Sequence, residues 1–230
     1  MNLPQSAQSK LPIVVLISGH GSNMQAIIDA AQQDLPVEIS AVISDRENAY
    51  GLTRAKQAGI TTDIVNSDKN MSREAYGRKL QDRIDHYQPR LIVLAGFMRI
   101  LSDNFVNHYS GKMINIHPSL LPKFRGLNTH QRALDAKEHW HGATVHFVTP
   151  ELDGGPAILQ ARVPIQPNDS AESLANRVLQ QEHQIYPLAI RWFAESRLQF
   201  SDNNAYLDKQ LLANPIQFPV EPNTNPQAFR

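Results

Sequence analysis

The sequence predicts an α/β fold: a doubly wound, mainly parallel sheet with helices on both faces, in a single domain. Three observations predict it. Apolar, β-branched runs at 11–18, 37–44 and 91–95 alternate with amphipathic stretches, the spacing of strands joined by crossover helices. Those runs are continuously apolar, as strands buried on both faces are. The chain has 230 residues, which suits one domain with extensions at about 150 residues per domain.

Each element follows in order. The first ten residues, MNLPQSAQSK, are polar and are expected to be loose. Residues 11–18 form a buried strand that runs into glycine. Ser22 and Asn23 are suited to cap a helix carrying Met24, Ala26, Ile27, Ile28 and Ala30. Residues 37–44 give a second strand, and 49–58 a helix with Gly59 just past its end. A short strand follows at 60–65. Ser72 opens a helix with Tyr76, Leu80, Ile84 and Tyr87 at helical spacing, and Pro89 stops it. Residues 91–95 form a buried strand, 103–109 a short helix closed by Gly111, and 113–117 the next strand. A loop at 118–128 leads to a helix over 129–137. Residues 143–148 and 157–164 form a hairpin-like pair around Glu151-Leu152-Asp153-Gly154-Gly155. Asp169 and Glu172 make a capping box for a long helix towards Glu195, kinked by Pro187. From Ser201 the chain is rich in Asn, Gln and Pro and is expected to fray. The organisation is therefore a loose segment at 1–10, a folded domain at 11–200 and a polar tail at 201–230.

Composition narrows the function. Lys plus Arg is 22 and Asp plus Glu is 22, a formal net charge of zero. Binders of nucleic acid or anionic membranes need a cationic surplus, so neither partner is expected. With no cysteine, disulfides, thiolate catalysis and Cys-bound metals are excluded. The longest early apolar run is far shorter than the roughly 20 residues that span a bilayer. The expected location is the cytoplasm.

Two stretches carry chemistry. Gly19-His20-Gly21-Ser22-Asn23 joins the first strand to the first helix. Glycines there let backbone approach a ligand, and a helix N-terminus offers free N–H groups. Met24 breaks the GxGxxG fingerprint and there is no GxxxxGK[ST], so the loop suits one phosphate rather than a dinucleotide or triphosphate. A tight turn with a helix cap explains the same residues. Asn115 and His117 share one face at the end of a strand that Pro118 terminates. Asn is a donor to an oxyanion, and His moves a proton near neutral pH. Asp153, folded against His117, would favour and orient the imidazolium; without that contact it is an ordinary Asp-Gly turn residue. His139, His141 and His146 hint at a metal, but HExxH is absent and a polar loop accounts for the first two. Arg73 suits a carboxylate partner or plain solvation, and Glu182 by composition alone is a surface residue.

Taken in order, Gly21-Ser22-Asn23, Ala95-Gly96-Phe97-Met98-Arg99-Ile100-Leu101, Asn115-Ile116-His117-Pro118-Ser119-Leu120-Leu121-Pro122 and Glu151-Leu152-Asp153-Gly154-Gly155 closely resemble the phosphoribosylglycinamide formyltransferases, folate-dependent enzymes of purine biosynthesis. The resemblance covers about residues 11–200. It implies a Rossmann-like formyltransferase fold and transfer of a formyl group from 10-formyltetrahydrofolate, as co-substrate, to the amine of 5-phosphoribosylglycinamide. It assigns Gly21, Ser22 and Asn23 to the ribose 5-phosphate, and Glu182 to the glycinamide ribonucleotide. Arg73, the backbone of Met98, Arg99, Ile100 and Leu101, and the loop Thr149, Pro150, Glu151 and Leu152 match the folate site. Asn115, His117 and Asp153 match the catalytic trio. No metal and no covalent enzyme intermediate are implied; the partners are small-molecule substrates, and the state is monomer or homodimer. His20, Arg125, Pro150 and Leu179 depart from the family pattern, and Phe124-Arg125-Gly126 leans towards tRNA-directed relatives. The alternatives are a relative formylating another amine and a non-catalytic phosphate-binding module.

Overall fold

The computed structural model describes residues 10–68 and 70–219. Apart from Lys10, the loose segment expected at 1–10 lies outside the described residues, as does the end of the tail. In chain order the elements are β1 (Leu11–Ile17), α1 (Ser22–Gln33), β2 (Val37–Ser44), α2 (Tyr50–Gln57), β3 (Thr62–Ile64), α3 (Arg73–His86), β4 (Leu91–Leu94), α4 (Asp103–His108), β5 (Met113–His117), α5 (Thr129–Asp135), β6 (Trp140–Phe147), β7 (Ala157–Pro164), α6 (Ala171–Ala194), β8 (Leu198–Ser201), β9 (Asn204–Leu207), β10 (Gln210–Leu211) and β11 (Ile216–Phe218). No helix among the described residues is long and apolar enough to cross a membrane.

Eight strands form one sheet in the order β11-β7-β6-β5-β4-β1-β2-β3. β1, β2, β3, β4 and β5 pair in parallel. β6 alone runs against the others, pairing antiparallel with both β5 and β7. Alternate side chains of β1 enter opposite cores, as the two-residue period of a strand requires. Ile13, Val15 and Ile17 pack with Ile27, Val178, Ile185 and Trp192 on one face. Val14 and Leu16 pack with Tyr76, Leu80, Ile84 and Phe105 on the other. The sheet therefore carries α1 and α6 on one face and α3 and α4 on the other. Its parallel strands deliver their carboxyl ends, and the loops that follow, to one rim.

Four expectations are corrected. α1 is capped by Gly21, left-handed at φ 74°, with no side-chain cap; Ser22 and Asn23 already lie within the helix. The capping box of α6 is Ser170 with Ser173, because Asp169 is engaged by Arg177 and accepts from the Gln166 amide at 2.7 Å. Trp140 and His141 belong to β6 rather than to a polar loop, and His141 is buried. The segment from Ser201 to residue 218 is ordered structure. β8, β9 and β10 form a second antiparallel sheet, and β11 adds to β7 in parallel. The Asn- and Asp-rich composition marks tight turns: Asp202 and Asn203, then Asp208 and Lys209, all have positive φ, as two-residue hairpin loops need.

Candidate active site

The site lies on the rim where β1, β4 and β5 end, the place where open α/β sheets bind ligands. Gly21 bends the chain sharply after β1. A Cβ there would come within 2.8 Å of Gly51 Cα, so only glycine lets the 19–23 loop lie against the start of α2. The next rim loop is tied to it, since the Met98 amide donates to Ser18 Oγ at 2.8 Å. A third approaches from the side. Gly155 packs so closely on β6 that a Cβ would meet the Phe147 carbonyl oxygen at 1.9 Å. This folds Asp153 back over the end of β5.

Three adjoining cavities fill the rim. One of about 250 Å³ is lined by Ser18, His20, Gly21, Ser22, Asn23 and Arg46. It shares Gly96 and Met98 with a cleft of about 460 Å³ that holds Asn115, His117 and Asp153. That cleft shares Arg99, Ile100 and Leu152 with a cavity of about 100 Å³ reaching Leu101, Thr149, Pro150 and Glu151. Met98, Ile100, Leu127 and Leu152 expose their apolar side chains around the cleft.

The three sequence-predicted catalytic side chains converge. His117 is buried, and its Nδ1 lies 3.4 Å from Asp153 Oδ2. Its Nε2–H donates to the Phe124 carbonyl at 3.0 Å. Both ring nitrogens thus face acceptors, the arrangement that a doubly protonated ring satisfies. Asp153 also accepts from the Gly126 amide at 2.8 Å. Asn115 Nδ2 lies 3.2 Å from Nε2 of His146, a residue that the site reading missed. His146 Nδ1 can only donate to the Phe147 carbonyl, 2.8 Å away, so its Nε2 accepts from Asn115. Burial pushes the His146 imidazole well below its ordinary value, which keeps the ring neutral in that role. The signal was present in the pairing: antiparallel β6 sets His146 directly opposite Asn115.

The other predicted residues divide. Asn23 lines the loop cavity and donates to Glu182 Oε2 at 2.6 Å. Glu182 is buried, not a surface residue, and burial raises its carboxyl above the ordinary range while the Asn23 bond opposes that rise. It lines none of the three cavities and reaches them through Asn23. One turn on, Tyr186 donates to the Leu94 and Ile114 carbonyls, fixing α6 to β4 and β5. Arg99 lies over the Tyr76 ring at 4.2 Å and 3.7 Å from buried Asp45. Glu151 pairs with Arg125. Arg73, exposed at the first position of α3, lines none of the three cavities. His139, His141 and His146 form no metal-holding group among the described residues.

Comparison with known proteins shows the family. A family model described as Formyl transferase matches residues 11–190. Phosphoribosylglycinamide formyltransferase of Escherichia coli is 56% identical over 201 residues, covering 87% of this chain and 95% of that protein. The trifunctional purine biosynthetic protein adenosine-3 of Bos taurus is 42% identical over 195 residues, 84% of this chain and 19% of that longer protein. The solved phosphoribosylglycinamide formyltransferase of Coxiella burnetii superposes with a TM-score of 0.88 at 57% identity, covering 91% of this chain and 100% of that one. The chain belongs to the formyl transferase family, among the phosphoribosylglycinamide formyltransferases.

Proposed function

We propose that this chain transfers a formyl group from 10-formyltetrahydrofolate to the amine of 5-phosphoribosylglycinamide, giving formylglycinamide ribonucleotide and tetrahydrofolate in purine biosynthesis. It acts on these small molecules in the cytoplasm, as a monomer or homodimer. The observation that carries the reading is the 3.4 Å approach of His117 to Asp153 beside Asn115, in a cleft continuous with the glycine loop.

The glycine loop and Ser22 take the ribose 5-phosphate, and Asn23 with Glu182 the ribonucleotide behind it. Loops 98–101 and 149–152 take the folate. Among the described residues Arg73 makes no side-chain bond, and it is available to the carboxylates of the folate tail. The neutral amine attacks the formyl carbon and a tetrahedral oxyanion forms. One Asn115 amide hydrogen is held by His146, which leaves the other for the oxyanion. His117 donates once its Nε2–H leaves the Phe124 carbonyl. Asp153 retains the second imidazolium proton. The C–N10 bond then breaks, and the proton lost by the amine passes by way of His117 or a water to N10. Holding amine and formyl carbon together supplies the rest of the acceleration.

The test is absorbance of the folate product with and without glycinamide ribonucleotide. Product that accumulates only with the acceptor supports the reading. Product without acceptor makes the chain a hydrolase. Binding of the ribonucleotide with no product in either arm makes it a phosphate-binding module.

A further inference from the structure

The cavity above the glycine loop holds groups that none of the assigned roles uses. Arg46 is the sole Lys or Arg lining it among the described residues. Its backbone is pinned on both sides by buried Ser44, whose Oγ accepts from the Arg46 amide at 3.0 Å and donates to the Arg46 carbonyl at 2.9 Å. Among the described residues the guanidinium itself has neither hydrogen bond nor ion pair. An arginine anchored by its backbone and left unpaired beside free helix N–H groups is a charge awaiting an anion.

The second group is His20, at the lip of the same cavity. Arg54 Nε donates to the His20 carbonyl at 3.1 Å, and Arg54 Nη2 lies 3.3 Å from His20 Nδ1. The Tyr50 ring lies under both, 5.0 Å from the guanidinium carbon and 5.2 Å from the imidazole. A guanidinium has only donors, so His20 Nδ1 accepts and the ring proton sits on Nε2. Arg54 therefore sets His20 as an N–H donor.

A third observation points to the ligand's other end. Asn23 is 9% exposed and lines the cavity, and its Oδ1 is buried without a partner among the described residues. This acceptor needs a donor. A phosphate dianion has none to give, whereas a ribose hydroxyl or an amide N–H does.

We propose that Arg46 and His20 contact the phosphate of the acceptor, with Arg54 as the positioning residue that fixes the His20 tautomer, so that these three residues set the preference for a phosphorylated ribosyl amide over its dephosphorylated form. The proposal rests on the reading above, in which the phosphate sits at the glycine loop. It also explains what the departure at His20 does in this chain.

The experiment uses the whole chain and two acceptors, phosphoribosylglycinamide and the dephosphorylated riboside, and reads the ratio of their kcat/KM values. Arg46→Ala is expected to lower that ratio by about tenfold or more, the scale of one charge-assisted hydrogen bond. Arg46→Gln serves as the second variant should the first unfold, and is expected to lower it too. His20→Ala is expected to lower the ratio about three- to tenfold. Arg54→Ala should match it, and the double variant should be no worse than His20→Ala alone. A merely structural role would instead depress both acceptors together and leave the ratio fixed, which overturns the proposal. Ser22→Asp, which puts a negative charge in the loop, separates the two levels. If it collapses the ratio while the arginine and histidine variants do not, the phosphate sits at the loop and this proposal is wrong. If the ratio survives Ser22→Asp as well, the phosphate binds elsewhere and the loop reading falls with it.

Discussion

Asn115 donates to the Nε2 of His146, 3.2 Å away across the β5–β6 pair, so a buried neutral imidazole sets the direction of the amide that faces the cleft. His146→Leu removes that acceptor and frees Asn115 to rotate. One neutral hydrogen bond is worth about 1 kcal/mol, so kcat is expected to drop about fivefold with little change in either KM. Steady-state kinetics with each substrate varied checks this.

Asn115→Ala and His117→Ala should each reduce kcat on the order of a hundredfold or more, the cost of losing one oxyanion donor. Asn115 is half-buried and His117 lies at the strand end, so both variants should keep a cooperative thermal transition. Normal turnover in both would refute the mechanism.

Gly155→Ala is expected to harm stability and activity together. Its Cβ would meet the Phe147 carbonyl at 1.9 Å, and that backbone belongs to a core strand. The turn has to lift, which moves Asp153 away from His117. A loss on the order of 2 kcal/mol in denaturant unfolding should accompany reduced kcat.

Glu182 makes stability depend on pH in an unusual direction. Burial raises its folded-state pKa above the ordinary value of 4.5, so the folded chain holds the proton more tightly than the unfolded one. Its stabilising contribution is complete below about pH 4.5 and is lost as pH rises through the folded-state value. Glu182→Gln removes that loss. The variant should gain stability relative to the parent as pH rises above about 4.5, while the KM for the ribonucleotide rises.

His141 acts with the opposite sign. Burial, then the nearby His130 and His117, push its imidazole down from 6.5 to about 4. Its contribution is complete above about pH 6.5 and is lost as pH falls towards 4. His141→Phe should flatten the fall in denaturant midpoint over that interval.

The parallel half of the sheet was legible because strands buried on both faces declare themselves as unbroken apolar runs. Val37–Ser44 and Met113–His117 match the expected bounds. Composition misled where polar residues had local structural work, as in the hairpins after Ser201. Ser170 was overlooked because Asp169 fits a capping box equally well on paper; only the position of Arg177 in space commits Asp169 elsewhere. The shared face of Asn115 and His117 was legible through strand periodicity, and their grouping in one cleft with Asp153 through resemblance. His146 was not, because its role depends on a pairing register between strands more than twenty residues apart and on which of its nitrogens the Phe147 carbonyl claims. Glu182 likewise gained its role from burial against α1, which composition does not encode.

β11 covers the outer flank of β7 through residues 216–218. An uncovered strand flank presents a row of free amide and carbonyl groups on which another chain can template. Cutting the polypeptide before Ile216 would therefore leave the rim chemistry in place and still be harmful: the shortened protein would turn over substrate when dilute and self-associate as its concentration rose.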